Sequence, residues 1–266
     1  LNALSVMVVP VQTAPNAATP PARLSHRANA DMNPASVMKL ITTSAGLSML
    51  GPDFTWRNRV FTDGTVKDGV LYGNMYLKGS GDPKLVVERL QSLIDEIMQK
   101  GLRDIRGDII LDGSVFDLSA RNPASFDDEP LRPYNVAPQG LLLNFNAMLF
   151  KFTPDVARGE AKIDSEPPLR NVQWSTSVPL SNAPCQDWRS QLKADFSNPD
   201  WVRFAGAYPS ACGEQKWPVA YVQPHTFAAR MVQAMWLQAG GKLSGQTRDG
   251  LTPQGAKLWL EAPSLP

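Results

Sequence analysis

A helical repeat of apolar side chains runs through residues 84–100. Its apolar positions are Leu85, Val86, Leu90, Leu93, Ile94 and Ile97. The residues around this repeat suit the ends of a helix, because Asp82 can cap its first turn, Pro83 can open it, and Gly101 can close it. The pattern therefore predicts an amphipathic helix over Lys84–Lys100.

Two other segments also have helical character. Residues 40–50 form a run of apolar and small side chains that stops at Gly51-Pro52. Residues 225–241 form an amphipathic pattern that stops at two glycines. We expect a helix in each segment.

Strand-type patterns fill much of the remaining chain. Residues 56–79 contain Asp63-Gly64 and Asp68-Gly69 between β-prone runs, which is typical of a hairpin or meander. Further strands are predicted in residues 4–11, 104–117, 140–154, 155–220, 242–250 and 256–263. Helix-bearing ends thus flank a β-rich middle, which suggests one domain interrupted by an insertion.

Composition and charge narrow the class of protein. The chain has 266 residues, 43% of them hydrophobic, so it can bury a sizeable core and is not a disordered chain. The formal net charge of +1 gives no basic footprint for nucleic acid. No apolar stretch approaches the ~18 residues of a transmembrane helix, and none is expected.

Several kinds of catalytic and metal site find no support in the sequence. There is no Gly-x-Ser-x-Gly, Walker loop, Gly-x-Gly-x-x-Gly or His-Glu-x-x-His motif. The cysteines, Cys185 and Cys212, lack the Cys/His spacing of a zinc site. We therefore expect no metal and no cofactor. Whether the cysteines are isolated thiols or a disulfide stays open at this point.

The sequence NPASVMKL at residues 33–40 contains a Ser-x-x-Lys pair, Ser36 and Lys39. A serine hydroxyl becomes a good nucleophile when a neighbouring base takes its proton. Residues three apart share one face of a helix, so the lysine can reach the hydroxyl. At a helix start, free N–H groups also favour the negative charge that develops on an oxyanion. Ser36 is thus a candidate nucleophile, and a helix-capping serine is the alternative.

A second Ser-x-x-Lys pair, Ser190 and Lys193, shows that the spacing alone is weak evidence. Ser36 leads into an apolar run, and Lys39 stands between Met38 and Leu40, which is unusual for a lysine without a function. Ser190 lies among polar residues and is followed by a helix-breaking segment. We interpret Ser190 as a surface residue.

A longer likeness goes beyond this motif. The segment NPASVMKLITTSAGLSMLGPDFTW (33–56) resembles the active-site segment of class C low-molecular-mass penicillin-binding proteins, the D-alanyl-D-alanine carboxypeptidases/endopeptidases. The likeness continues in residues 79–85, 107–117, 133–138, 141–146, 212–221 and 239–245. It therefore covers nearly the whole chain.

The resemblance implies an α+β or α/β fold, with a partial penicillin-recognising serine transpeptidase-like domain and β-rich inserted domains. The expected boundaries place 1–57 and 221–266 in the transpeptidase-like domain, 58–82 and 160–220 in a β-rich inserted domain, and 83–159 in a second inserted α/β domain. The resemblance also implies a Cys185–Cys212 disulfide.

The resemblance implies a reaction as well. Ser36 would be acylated by a peptidoglycan stem peptide with loss of D-alanine, Lys39 would be its base, and β-lactams would acylate the same serine. The enzyme would lie in the periplasm, delivered by a signal peptide absent from this chain. Asp112 and Phe116 would contact the amine and side chain of the stem peptide. The alternative for this pair is a turn-forming aspartate and a core phenylalanine.

One departure from the family pattern is serious. Neither the Ser-x-Asn nor the Lys-Thr-Gly element of the family occurs in the sequence. We therefore expect these residues to be a truncated or processed piece with little turnover alone, and a separate chain carrying the remainder is one explanation. A non-catalytic peptidoglycan-binding or scaffold protein is the alternative function, and a compact β-lactamase is disfavoured by the long inserted region.

Overall fold

The computed structural model of the protein describes residues 4–12, 14, 18–117 and 121–264. The chain divides into two compact units between Phe54 and Thr55. The described residues form four α-helices, which are α1 (Met38–Leu50), α2 (Val87–Gln99), α3 (Trp188–Gln191) and α4 (Pro224–Gln238). Short 3-10 helices lie at Ala35–Val37, Pro123–Ser125, Pro133–Asn135, Asn144–Asn146 and Ser210–Cys212.

The described residues also form eighteen strands that belong to five sheets. In chain order, they are β1 (Val6–Val8), β2 (Leu24–His26), β3 (Arg57–Thr62), β4 (Thr65–Lys67), β5 (Val70–Tyr72), β6 (Met75–Lys78), β7 (Asp104–Ile105), β8 (Ile109–Asp112), β9 (Ala147–Asp155), β10 (Glu160–Glu166), β11 (Gln173–Trp174), β12 (Ser177–Ser181), β13 (Trp201–Val202), β14 (Tyr208–Pro209), β15 (Gln215–Ala220), β16 (Lys242–Leu243), β17 (Thr247–Asp249) and β18 (Lys257–Pro263).

The first unit contains α1 and the antiparallel pair β1–β2, in which Val6 lies opposite His26. Helix α1 ends at Gly51, whose φ of 81° is the left-handed conformation that glycine favours. The helix has no buried residue, and Leu40 and Ile41 are 68% and 64% exposed. Its apolar side chains are therefore not packed into a core within this unit.

The second unit contains a five-stranded mixed sheet in the order β17-β8-β6-β3-β18. Strand β8 is buried along its whole length and pairs in parallel with both neighbours, as expected for a continuous apolar central strand. Helix α4 packs against β8 and β17, and α2 packs against α4. The buried side of α2 consists of Leu90, Leu93, Ile94, Ile97 and Met98. The predicted amphipathic helix is thus confirmed.

A second five-stranded sheet, in the order β14-β12-β10-β9-β15, carries a cluster of aromatic side chains. Phe152 stacks on Tyr208 with 5.6 Å between ring centroids, and its ring meets Trp188 edge-on at 5.4 Å. The cluster also contains Phe150, Phe196, Phe204 and Trp217. Edge-to-face and offset contacts of this kind stabilise the fold beyond the effect of the apolar area that these large side chains bury.

The start of α2 differs from its prediction. The helix begins at Val87 rather than Lys84, and Asp82 makes no cap to it. The Asp82 carboxylate instead accepts from the Lys84 N–H at 2.9 Å and from Asn58 Nδ2 at 3.3 Å. Asp82 therefore closes a local turn and ties it to β3, a role that a capping pattern cannot reveal.

The predicted strand over 140–154 starts late, since β9 begins at Ala147. The preceding 3-10 helix Asn144–Asn146 has positive φ at all three residues, between 43° and 54°. Its apolar neighbours Leu141 and Leu143 are buried although they lie outside the named strands. A run of apolar residues is compatible with either arrangement, so the pattern alone placed the boundary wrongly.

The strand pairing groups the segments differently from the predicted domain boundaries. Segment 221–266, assigned to the transpeptidase-like domain, supplies β17 and β18 to the sheet that contains β3, β6 and β8. Strand β9, from the predicted 83–159 domain, pairs with β10 and β15 of 160–220. Pairings between strands so distant in sequence leave no trace in local composition. The domain boundaries themselves stay a prediction.

Candidate active site

The segment before α1 forms a tight turn that leads into the helix. The Asn33 side chain accepts from the Ala35 N–H at 2.9 Å, and Ala35 has a φ of 44°. A non-glycine residue in the left-handed region is uncommon and costs energy. This strained turn stands directly before Ser36, in the 3-10 helix Ala35–Val37.

Ser36 does not cap either helix start. The capping positions are Pro34 for the 3-10 helix and Val37 for α1, and neither makes a side-chain cap. The capping alternative for Ser36 is therefore wrong. Ser36 Oγ instead accepts a hydrogen bond from Lys39 Nζ at 2.8 Å.

This hydrogen bond joins the two residues of the first Ser-x-x-Lys motif. The spacing of three residues across the 3-10-to-α1 junction brings the amine onto the hydroxyl, as helical geometry predicts. In the next turn, the Thr43 hydroxyl donates to the Lys39 carbonyl at 2.7 Å. The arrangement can move a proton between the serine oxygen and the lysine nitrogen.

The second Ser-x-x-Lys pair has a different geometry. Ser190 lies in α3 and its hydroxyl donates to the Asp187 carbonyl at 2.9 Å. Lys193 lies beyond the end of this short helix, with a φ of 45°. Within the part of the chain that the structure describes, no hydrogen bond joins the side chains of Ser190 and Lys193. Ser190 is exposed, as predicted.

Asp112, at the end of β8, is 1% exposed and fully engaged by its neighbours. Its carboxylate accepts from the N–H groups of Ser114 at 3.0 Å and Thr252 at 2.9 Å, and it pairs with Lys78 Nζ at 3.5 Å. Burial works to raise the pKa of Asp112, but the hydrogen bonds from Ser114 and Thr252 outweigh it and hold the pKa well below its usual range. These contacts favour the turn-forming alternative for Asp112.

Phe116 lies near Asp112 in the chain but is accessible, with 42% of its surface exposed, so it is not a core residue. Its ring packs over Gly81 so closely that a Cβ on Gly81 would collide with it. Phe116, His225 and Asp249 line a cavity of about 460 Å³. These three residues are far apart in sequence, so no local pattern predicted that they would line one cavity.

The polar end of this cavity has its own electrostatics. Burial raises the pKa of Asp249, and the nearby His225 partly offsets the rise. Within residues 4–12, 14, 18–117 and 121–264, no group of three or more His, Cys, Asp or Glu side chains could hold a metal ion. No helix in those same ranges is long and apolar enough to cross a membrane.

Cys185 and Cys212 form a disulfide, with 4.9 Å between their Cα atoms. The bond closes a loop of 27 residues that includes α3, β13 and β14. The predicted pairing is thus confirmed. It fixes the segment leading into Trp188 against the second five-stranded sheet.

The fold is that of the penicillin-binding proteins. The solved structure of penicillin binding protein 4 (dacB) from Haemophilus influenzae matches with a TM-score of 0.66 and 23% identity, over 88% of this chain and 51% of that one. A complex of the same protein with a novel β-lactam matches with a TM-score of 0.58 and 22% identity, over 87% and 48% of the two chains. The chain therefore spans about half the length of these solved relatives.

The sequence also matches a family with defined chemistry. The profile of the D-Ala-D-Ala carboxypeptidase 3 (S13) family covers residues 4–266, and the chain belongs to this family. The D-alanyl-D-alanine carboxypeptidase DacB of Haemophilus influenzae is 28% identical over 126 residues, which are 47% of this chain and 26% of that protein. The D-alanyl-D-alanine carboxypeptidase of Actinomadura sp. (strain R39) is 37% identical over 84 residues, 32% of this chain and 16% of that protein.

Proposed function

We propose that this chain carries the nucleophile and base of a serine D,D-carboxypeptidase that also acts as an endopeptidase on peptidoglycan stem peptides. The observation that carries the proposal is the 2.8 Å hydrogen bond between Lys39 Nζ and Ser36 Oγ, at a strained helix start, in a chain of the D-Ala-D-Ala carboxypeptidase 3 (S13) family. An amine held on a serine hydroxyl is the arrangement that activates the nucleophile.

In the acylation step, Ser36 Oγ attacks the carbonyl carbon of the penultimate D-alanine. Its proton passes to Lys39 Nζ, which acts as the base, and the carbonyl oxygen becomes an oxyanion. The N–H groups at the start of a helix lack intrahelical acceptors, so the Ser36 N–H is suited to stabilise that charge. Collapse of the intermediate breaks the peptide bond, and the leaving D-alanine nitrogen takes the proton.

In the deacylation step, a water molecule attacks the Ser36 ester. It loses a proton to the same base, and the released serine oxygen recovers one, so the enzyme returns to its starting state. Separately from the serine chemistry, we propose that Phe116 can contact the side chain of a stem peptide, and the exposure of its ring supports this role. Asp112 is a positioning residue, since it holds the Ser114 N–H of the loop that carries Phe116.

The proposed reaction also accounts for inhibition and location. A β-lactam presents a strained amide to Ser36 and leaves a covalent adduct, and a relative of similar fold has been crystallised with a β-lactam. The Cys185–Cys212 disulfide suits an oxidising compartment, so we place the enzyme in the periplasm.

The test is intact-mass spectrometry of the full-length gene product after exposure to benzylpenicillin, with the 266-residue chain measured alongside. We expect one penicilloyl adduct on the full-length protein and its loss in Ser36→Ala. The matched control is Ser190→Ala, which removes the serine of the other Ser-x-x-Lys pair and keeps the adduct. An adduct that survives Ser36→Ala, or no adduct on the full-length protein, contradicts the proposal.

Two substrates separate the finer activities. Release of D-alanine from a soluble pentapeptide reports carboxypeptidase activity, and cleavage of a cross-linked dimer of muropeptides reports endopeptidase activity. We expect both, each abolished by Ser36→Ala. Binding of either substrate without turnover in the full-length protein would instead support a non-catalytic peptidoglycan-binding protein.

A further inference from the structure

A cationic groove lies beside the aromatic cluster of the second unit. It is an open cavity of about 560 Å³ between α3, β15 and the loop that precedes the 3-10 helix Pro133–Asn135. Three basic side chains line it, namely Arg132, Arg189 and Lys193. The groove thus offers positive charge next to aromatic rings.

The two acidic side chains that line the groove are already engaged. Glu129 pairs with Arg132 at 3.5 Å. Asp187 caps α3, where its carboxylate faces the Ser190 N–H at 3.4 Å. Arg189 and Lys193 form no ion pair with a described residue, so the groove retains a net positive charge that can receive an anion.

Arg189 is the most organised of these cations. Its guanidinium lies 5.4 Å from the Trp188 ring centroid and 5.5 Å from the Trp217 ring centroid. Two aromatic rings therefore hold its plane in place. Its Nε is buried and has no hydrogen-bond partner among the described residues. A buried donor in this state is costly unless an acceptor can reach it, and a held guanidinium matches a carboxylate in bidentate geometry.

The remaining walls suit an apolar surface next to that carboxylate. Trp217 and Phe196 line the groove with their rings 5.3 Å apart. Lys193 also lines the groove, so a second cation stands near these rings. A ligand with a carboxylate beside an apolar sugar face or methyl group satisfies both features.

We propose that this groove binds carboxylate-bearing peptidoglycan fragments, with Arg189 and Lys193 receiving the carboxylate and Trp217 and Phe196 packing against the adjoining apolar surface. The choice of ligand rests on the function proposed above. The carboxylate has two sources in such fragments, the stem peptide and the lactyl group of a muramyl sugar without its peptide.

Isothermal titration calorimetry with a disaccharide-tetrapeptide tests this groove. The 266-residue chain is used in a Ser36→Ala background, so that acylation cannot consume the probe. We expect Arg189→Gln to weaken binding about tenfold or more and Lys193→Gln to weaken it less. The affinity of Arg189→Lys should lie between that of Arg189→Gln and that of the parent. Far-UV circular dichroism and an intact disulfide establish that each variant is folded.

The matched control is Lys216→Gln. Lys216 precedes Trp217 in β15, so its side chain points to the opposite face of the strand. We expect this variant to bind like the parent. Equal weakening in Lys216→Gln and Arg189→Gln would reduce the effect to net charge and overturn the proposal.

Four probes identify the source of the carboxylate. The tetrapeptide alone, the disaccharide with a free lactyl carboxylate, the fully amidated disaccharide-tetrapeptide and inorganic phosphate are titrated in the same way. Binding by either carboxylate probe, lost on amidation, supports the proposal and names the source. Binding of phosphate as tight as the carboxylate probes, or no effect of amidation, overturns it.

The outcome is separable from that of the proposed function. A penicillin adduct on Ser36 together with unchanged muropeptide binding in Arg189→Gln overturns the groove and leaves the serine chemistry. Arg189-dependent binding without any adduct in the full-length protein overturns the serine chemistry and leaves the groove.

Discussion

The segments 36–39 and 190–193 have the same Ser-x-x-Lys spacing but opposite surroundings. In the first, Lys39 donates to Ser36 Oγ at 2.8 Å, and the helix after it exposes its apolar side chains. In the second, the serine hydroxyl turns to the carbonyl of Asp187, and Trp188 anchors the helix in an aromatic cluster. Spacing therefore permits a serine–lysine pair, while the path of the backbone decides whether the pair forms.

The two backbone paths differ in the length of helix after each serine. After Ser36, the backbone continues as a long helix, so the residue three positions on returns to the same face. After Ser190, α3 ends at Gln191 and Lys193 takes a left-handed conformation that turns the chain away. A helix as short as α3 cannot complete the geometry.

Replacement of Lys39 should have the largest effect on the contrast between the two Ser-x-x-Lys segments. We expect Lys39→Gln to slow acylation of the full-length protein by about 10²- to 10⁴-fold, because Ser36 loses the group that takes its proton. The measurement is the rate of adduct formation with a fluorescent penicillin. The exposed lysine Lys67 gives the control, and Lys67→Gln retains the parent rate. A rate for Lys39→Gln within a factor of two of the parent contradicts this assignment.

For stability, we expect substitutions near the second segment to cost more than substitutions near the first. We expect Trp188→Ala to lower the free energy of unfolding of the 266-residue chain by about 3–5 kcal/mol, because the ring is 8% exposed and contacts Phe152, Tyr208 and Trp217. Ile41→Ala in α1 changes it by less than about 0.5 kcal/mol, since Ile41 is 64% exposed. Urea denaturation followed by far-UV circular dichroism measures both, and equal losses would refute the contrast.

The disulfide Cys185–Cys212 encloses the second segment, 190–193, and does not involve the first. We expect Cys185→Ser to lower the free energy of unfolding by about 2–4 kcal/mol, because the bond closes the 27-residue loop around α3 in the unfolded chain. Thermal unfolding with and without a reductant measures the effect. The parent should shift on reduction and the variant should not. A variant as stable as the oxidised parent would show that the bond contributes nothing.

The turns before the two serines give the smallest expected effects. Asn33→Ala removes the acceptor of the Ala35 N–H, and Asp187→Ala removes the cap of α3. Each should cost about 0.5–1 kcal/mol of stability. We expect only Asn33→Ala to slow penicillin acylation, by a few-fold, because its turn leads into Ser36. Equal acylation rates in both variants would mean that this turn does not orient the nucleophile.

The elements with a strong period were predictable from the sequence. The buried positions Leu90, Leu93, Ile94 and Ile97 of α2 follow the predicted repeat, and α1 ends at Gly51 as predicted. The approach of Lys39 to Ser36 was also predictable, because the apolar run after Ser36 predicted a helix that would return the lysine to the face of the serine. By contrast, Leu141 and Leu143 have the pattern of a strand, but they are buried outside the named strands. Apolar runs without a period do not distinguish the two.

The features that could be predicted from residues close together in the chain are the amphipathic helix and the serine–lysine pair. The disulfide joins residues 27 apart and was predicted only through the likeness to relatives. Which strands pair was settled by the fold: β18 (Lys257–Pro263) pairs with β3 (Arg57–Thr62), and β17 (Thr247–Asp249) pairs with β8. The burial of Asp112, and the position of Arg189, Lys193 and Trp217 around one groove, are likewise visible only in the folded structure. The physical reason is that hydrogen bonds between strands and contacts across a cavity are made by residues distant in sequence, whose partners no local pattern specifies.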